Sequence, residues 1–278
     1  MIIPGSYSSG FAPRDFRPLY PELWRGCVGA WCPSLGPTGA TLRDWSGYGS
    51  HGTLTNTTLS TAWGLINGAY AVSLDGSNDQ IIMGDLLTLE PVKHVSVCCW
   101  TTPSTASQST DATIVAKEYS NPRGAPWVGY KLGLNASPNA RYKFEFSAGG
   151  SIRSVTGGTI IAAGTTVFVV GTYDGVNGRI YINGKQENSG AFTGDLTYSN
   201  GRLMCGTNET GGDVFAGAVD DIRVYNRALT PNEITLLYAS GRGRGIAYTA
   251  DTRRRWGMYS GSPASGNRRR RLLMLRGA

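Results

Sequence analysis

Short runs of apolar and β-branched residues recur along the chain, separated by clusters of glycine, asparagine and aspartate. Strand-length segments fall near 26–32, 69–75, 79–83, 93–102, 112–117, 127–134, 140–147, 165–174, 178–183, 185–189, 201–206 and 214–226. Such close spacing is what an antiparallel β-sandwich requires. Alternation is clearest at Arg141–Phe146, where Tyr142, Phe144 and Phe146 take one face and Arg141, Lys143 and Glu145 the other. Asn183-Gly184 sits between two β runs and predicts a two-residue hairpin, because both central residues of that turn must accept positive φ. Trp100, Phe168, Val170, Tyr173 and Ile182 are expected in the core.

One helix is predicted. Thr230-Pro231-Asn232-Glu233 sets an N-cap hydroxyl, a first-turn proline and a capping-box glutamate in order. Ile234, Leu236 and Leu237 give it an apolar face, and Gly241 stops it. The fold class is therefore all-β, a two-sheet antiparallel sandwich with one short C-terminal helix. Two extended arms flank it. Residues 1–25 interleave Phe11, Phe16, Leu19, Tyr20, Leu23 and Trp24 with Pro13, Pro18 and Pro21, which disfavour helix and central strand. These apolar residues lie against the protein's own surface or against a neighbouring subunit. The domain proper runs from 26 to 240, and 241–278 is a tail rich in Gly, Ser, Arg and Tyr.

Charge separates these parts. Ten of the 26 Lys and Arg and one of the 19 acids lie after residue 240, so the tail carries +9 and the remainder −2 against a total of +7. Within the tail, Arg253-Arg254-Arg255-Trp256 and Arg268-Arg269-Arg270-Arg271-Leu272-Leu273-Met274-Leu275 stand out. Arginine runs neutralise phosphates or dock on acidic protein surfaces. Leu272, Leu273 and Leu275 favour a protein partner with an apolar groove over nucleic acid. No apolar run is long enough to span a bilayer, so membrane insertion is not expected. The start, Met1-Ile2-Ile3-Pro4-Gly5-Ser6, lacks the basic and apolar regions of a secretory signal, which points to synthesis in the cytosol. The five cysteines have no metal-site spacing and are expected reduced and buried, although Cys27 and Cys32 are near enough in sequence to pair.

Three stretches carry candidate chemistry. The loop within Thr41–Leu54 combines Asp44, Ser46, Gly47, Gly49, His51 and Gly52, too polar and glycine-rich for a helix. It either curls carbonyls and the Asp44 carboxylate around a hard cation, calcium first, or closes as an Asx-turn without metal. The segment 118–127 holds Tyr119, Asn121 and Trp127, an aromatic and polar set suited to stacking on sugar rings, unless its aromatics anchor strand ends. Catalytic patterns are missing: there are two histidines, His51 and His94, with no nucleophile elbow, no HExxH and no E-x-D-x-x-E run of glycosidase carboxylates. An enzyme is not expected.

Asp44-Trp45-Ser46-Gly47 followed by His51-Gly52-Thr53-Leu54 resembles the D-x-S-G-x-x-x-H-G-T-L signature of laminin-G-like, concanavalin A-like jelly rolls. Leu74–Asp79, Thr172–Gly175, Tyr181–Gly184 and Val219–Leu229 follow in that family's order, so the likeness covers roughly residues 26 to 240. It implies a jelly-roll sandwich in which the Asp44 loop meets the Val219-Asp220-Asp221 segment around a structural Ca²⁺. Regular strand geometry lets only one of that pair point inward, Asp220 in preference to Asp221. The region 208–213 is similar to the calcium loop of pentraxins but has fewer carboxylates, and otherwise reads as a solvated acidic turn. Leu19–Gly26 and Gly29–Pro33 also look similar to laminin-G-like proteins of bacteriophage and environmental viral sequences. Two functions follow from these resemblances. One is a non-enzymatic structural or adhesive virion protein, decorating a capsid or associated with a tail, homo-oligomeric or bound to other virion subunits through its termini. The other is a stand-alone carbohydrate-binding module for cell-surface glycans.

Overall fold

The computed structural model describes residues 20–118, 126–135 and 139–242. In chain order its first strands are β1 (Cys27–Trp31), β2 (Thr41–Leu42) and β3 (Gly52–Thr55), followed by one turn of helix, α1 (Leu59–Ala62). Next come β4 (Trp63–Ile66), β5 (Ala69–Asp75), β6 (Gln80–Gly84), β7 (Val95–Pro103), β8 (Thr113–Glu118) and β9 (Val128–Leu134). The chain continues through β10 (Arg141–Ala148), β11 (Ser151–Ile160), β12 (Val167–Tyr173), β13 (Asn177–Ile182) and β14 (Lys185–Ala191). It closes with β15 (Leu203–Cys205), β16 (Ala216–Tyr225) and α2 (Pro231–Ser240). One sheet has the order β14-β13-β12-β7-β16-β5-β4, with β1 also paired to β16; the other runs β11-β10-β9-β8-β15-β6-β3-β2. This is a two-sheet antiparallel jelly-roll sandwich, as the strand spacing predicts.

Period-two alternation builds two apolar layers rather than one. Along β7, Val95, Val97 and Cys99 enter the core between the sheets, where Tyr142, Phe144, Phe146, Val169, Tyr173 and Ile180 meet them. Cys98 points the other way, into a second cluster with Phe168, Val170, Tyr181 and Tyr225. Ile234 and Leu237 of α2 and Leu23 of the N-terminal segment roof that cluster. Each large side chain so buried contributes about 1.5–3 kcal/mol. Trp100, expected in the core, is instead half-buried at the edge of this outer cluster, stacked on Tyr238 with ring centroids 5.6 Å apart. The helix begins as its sequence predicts: Thr230 Oγ1 accepts from Glu233 N at 3.3 Å, and the Glu233 carboxylate accepts from Thr230 N at 2.8 Å.

Other local signals are also met. Asn183 (φ 51°) and Gly184 (φ 82°) form the β13–β14 turn. All five cysteines are free and buried. Tyr20–Arg25, counted with the N-terminal arm, packs on the sandwich: Leu23 is fully buried, and the Arg227 guanidinium donates to the carbonyls of Glu22 and Arg25. Four strands, β2, β3, β4 and β11, have no counterpart among the predicted segments.

Candidate functional site

The Asp44 loop is closed by its own hydrogen bonds. Gly47 and Gly49 adopt positive φ (90° and 79°), which turns the chain back over the carboxylate. Asp44 Oδ1 accepts from Ala30 N (3.0 Å) and Ser46 N (2.8 Å); Oδ2 accepts from Ser46 Oγ (2.8 Å) and Ser50 N (3.0 Å). Its own N–H donates to His51 Nδ1 at 3.1 Å. Trp31 Nε1 donates to the Ser50 carbonyl at 2.6 Å, and Ser50 Oγ donates to the Met83 carbonyl, so the loop fastens β1 to β6. This is the Asx-turn geometry, extended to four donors.

The second acidic segment lies elsewhere. The β1–β16 pairing aligns Trp31 with Ile222, while the other edge of Trp31 bridges Asp44. β1 therefore runs between Asp44 and β16, and two strand spacings are about 10 Å. The structure does not bring Asp44 together with Asp220 or Asp221 around one cation. It also departs from regular strand geometry there: a bulge shifts the register between Asp220 and Arg223, and Asp221 takes φ 45°. Both aspartates are thereby accommodated between Val219 and Ile222, which each face the main core. Asp221 grips Arg223 with two bonds, to Nε at 2.8 Å and to NH2 at 3.0 Å, and Arg223 is buried. Asp220 Oδ1 accepts from Ser34 N (3.0 Å) and Asp221 N (2.7 Å), while its buried Oδ2 has no hydrogen bond. Burial first, then the charge of Asp221, pushes the Asp220 carboxyl up to about 7.

A calcium cage does not fit these donors as arranged. Both oxygens of Asp44 are saturated, both of Asp221 hold a guanidinium, and no group of three or more His, Cys, Asp or Glu among the described residues is placed to hold a metal. The 208–213 turn closes on itself as well. Asn208 Oδ1 accepts from Thr210 N and Gly212 N, Asn208 Nδ2 donates to Asp213, and Glu209 pairs with Arg202 at 2.8 Å.

The exposed chemistry sits at one end of the second sheet. Gly84 at the end of β6 aligns with Leu203, Leu203 with Lys117, and Lys117 with Tyr130, so the chain leaves β6 and β8 and enters β9 side by side. Trp127, just before β9, is 44 % exposed, and Tyr119 and Asn121 lie outside the described residues. In the segment that follows β6, Leu87 is 85 % exposed and Val92 54 % exposed. The fully buried Lys117 ammonium of β8 is bonded to Asp85, to Glu90 at 2.9 Å and to the Gly201 carbonyl at 2.5 Å. Glu118 and Lys131, both buried, pair at 2.9 Å. Burial raises the Glu118 carboxyl while Lys131 draws it back. Sequence inspection finds Trp127 but misses Leu87 and the Lys117 network, whose members are far apart in the chain. This end of the sheet thus carries exposed apolar and aromatic side chains together with buried ion pairs.

More than half of the chain, residues 75–235, matches the family model of the concanavalin A-like lectin/glucanases superfamily. The chain belongs to that superfamily. Among solved structures, this superfamily member is similar to domain 4 of AbnA, a GH43 extracellular arabinanase from Geobacillus stearothermophilus in complex with arabinotriose. The TM-score is 0.55 at 22% identity, covering 75% of this chain and 96% of that one. It is also similar to the binding domain of Paraclostridial Mosquitocidal Protein 1 (TM-score 0.58, 15% identity, 78% of this chain and 53% of that one). A third is the binding domain of Botulinum Neurotoxin DC in complex with SialylT (TM-score 0.55, 15% identity, 78% and 52%). The chain thus spans nearly all of the arabinanase domain and about half of the toxin domains; at these identities the likeness shows the fold. No curated protein matches the chain.

Proposed function

We propose that the protein is a non-enzymatic, lectin-like module that contacts glycans through the end of the sandwich carrying Trp127. The observation that carries this is the exposed Trp127 just before β9, at the end of the sheet where the Lys117–Asp85–Glu90 ion pairs fix the neighbouring segments. An exposed aromatic ring stacks on the apolar face of a pyranose, and a ring held at a strand end does so with little loss of conformational freedom. Support comes from two structures of the same fold, the arabinanase domain bound to arabinotriose and the toxin domain bound to SialylT. A glycan array probed with the wild type and with Trp127→Ala tests it. Binding that is lost in the variant sustains the proposal, and binding that is the same in both removes Trp127 from the contact.

The module serves, in this proposal, as an adhesive component of a phage virion. Supporting this is the separation of charge, −2 over residues 1–240 and +9 over the tail. Residues 253–256 and 268–275 would supply the contact to other virion proteins; they lie outside the described residues. Deleting 243–278 should leave glycan binding intact and abolish incorporation into particles. Intact glycan binding with no particle partner for the full chain would favour a stand-alone carbohydrate-binding module.

A further inference from the structure

The geometry points to a guanidinium receptor on the sandwich, formed by the Asp220 carboxylate and the backbone carbonyls of Ile66 and Asn67, which takes Arg242 and ties the residue after the α2 stop to β16 and the β4–β5 turn. Three elements far apart in sequence converge there. β4 and β5 are joined by a tight turn in which Asn67 (φ 50°) and Gly68 (φ 80°) are left-handed. Asn67 Nδ2 donates to Thr166 Oγ1 at 2.8 Å, and Thr166 shares a 2.8 Å bond with Thr102, so the turn is pinned to the first sheet. β16 contributes Asp220 from its bulge, and α2 ends at Gly241 (φ 73°), which swings the next residue back over the sheet.

Arg242 enters this niche. Its NH2 donates to the Ile66 carbonyl and, at 3.1 Å, to the Asn67 carbonyl, while Nε lies 3.9 Å from Asp220 Oδ2, an ion-pair distance too long for a hydrogen bond. Its side chain is only 9% exposed. Asp220 Oδ1 is already used by Ser34 and Asp221, which leaves Oδ2, buried and without a hydrogen bond, turned to the cation. Two carbonyls and a carboxylate spread around one planar fork match a guanidinium; a lysine ammonium, a point charge on a flexible stem, reaches them less well. Arg242 is thus held by the fold although it follows the helix stop. The anchoring proposal concerns only the residues after it. The receptor itself stands without that proposal.

Trypsin reads the site directly, because it must extract Arg242 to cut the Arg242–Gly243 bond. The full chain, with Arg242→Lys and Asp220→Asn variants, is digested briefly and the product ending at residue 242 is followed by intact mass. Since cleavage tracks the population of the locally opened form, the product should build up about tenfold faster in both variants than in the wild type. Equal rates in the wild type and in Arg242→Lys, which alters no group inside the sandwich, would overturn the assignment. A faster cut in Arg242→Lys upholds it even where Asp220→Asn also loosens β16. Particle incorporation is a separate readout, so loss of the anchoring proposal leaves this result untouched.

Discussion

Asp44 and Asp220 are both buried carboxylates on loops or bulges next to β1, yet they are used in opposite ways. Asp44 meets four donors, three of them backbone N–H groups that would otherwise be unsatisfied inside the protein. Asp220 spends one oxygen on two N–H groups and keeps the other for Arg242, just after the α2 stop. A saturated carboxylate is a structural fastener and has no valence left for a ligand. One with an open, desolvated oxygen is unstable alone and becomes a receptor. Burial and acidity alone do not separate the two; the donor count does.

The largest effect is expected at the fastener. Asp44→Ala strands the N–H groups of Ala30, Ser46 and Ser50 in a dry interior and should cost about 3–5 kcal/mol. The measurement is the urea midpoint at constant m-value. A loss under about 1 kcal/mol would mean that water replaces the carboxylate freely, and the contrast with Asp220 would collapse.

Next comes the exposed end. Trp127→Ala removes a half-exposed ring and should leave the melting temperature within a degree or so of wild type, in line with surface substitutions generally. Glycan affinity should fall about tenfold or more, as for an aromatic anchor at a binding surface. A large drop in thermal stability would make Trp127 a strand anchor instead. This would sharpen the comparison by leaving Asp220 as the one of the three positions whose side chain is kept for a partner.

Much of the fold is legible because its signals are local. The Thr230–Glu233 capping box, the Asn183-Gly184 turn and the alternation of Tyr142, Phe144 and Phe146 each sit within a few residues, and each appears as expected. β11 is not legible: it is an edge strand with Val155 and Gly157 as its buried positions, so its sequence carries almost no alternation. β3 and β4 are short, and β4 is an edge strand beside a turn-rich stretch. The site is less legible than the fold. Asp44 is correctly placed on a tight loop, but its Ala30 donor comes from another strand, and the bulge that accommodates both Asp220 and Asp221 breaks the alternation rule used to choose between them. Lys117 finds Asp85 and Glu90 only through sheet pairing, which no spacing in the sequence announces.

Acidity separates the carboxylates further. The Asp220 carboxyl is raised in the folded state from 3.8 to about 7, so the folded protein holds the proton more tightly than the unfolded chain. The stability this group contributes is fully present below about pH 4 and is lost as pH rises through about 7. Asp220→Asn should remove that decline, seen as a flatter profile of melting temperature between pH 4 and 8. Glu233 has the opposite sign. Burial opposes its ionisation, but Arg227 and the Thr230 cap outweigh burial and hold the carboxyl at about 2. Its contribution is present above about pH 4.5 and lost as pH falls through about 2. Glu233→Gln should therefore cost about 1 kcal/mol at neutral pH, the usual worth of a cap, and almost nothing near pH 2. Parallel pH profiles for the two variants would show that neither group titrates in its structural setting.

The smallest expected effect is the most direct test of how Asp44 closes its loop. A cation bound only by the native state would stabilise the fold by about 2.7 kcal/mol at a hundredfold excess over its dissociation constant. Chelation would then lower the melting temperature, and Asp44→Ala would erase the difference. The hydrogen-bond geometry supports the other outcome. Every lone pair of Asp44 aimed into the loop already has a donor within 3.0 Å, and β1 separates it from the acidic bulge of β16. Calcium would have to displace backbone N–H groups that have no other partner, at a cost comparable to unmaking the loop. Melting curves in millimolar calcium and in excess chelator should therefore coincide, with Asp44→Ala shifted equally in both. A calcium-dependent rise in the wild type that vanishes in Asp44→Ala would show that the loop rearranges to admit the ion, and Asp44 would join Asp220 as a receptor.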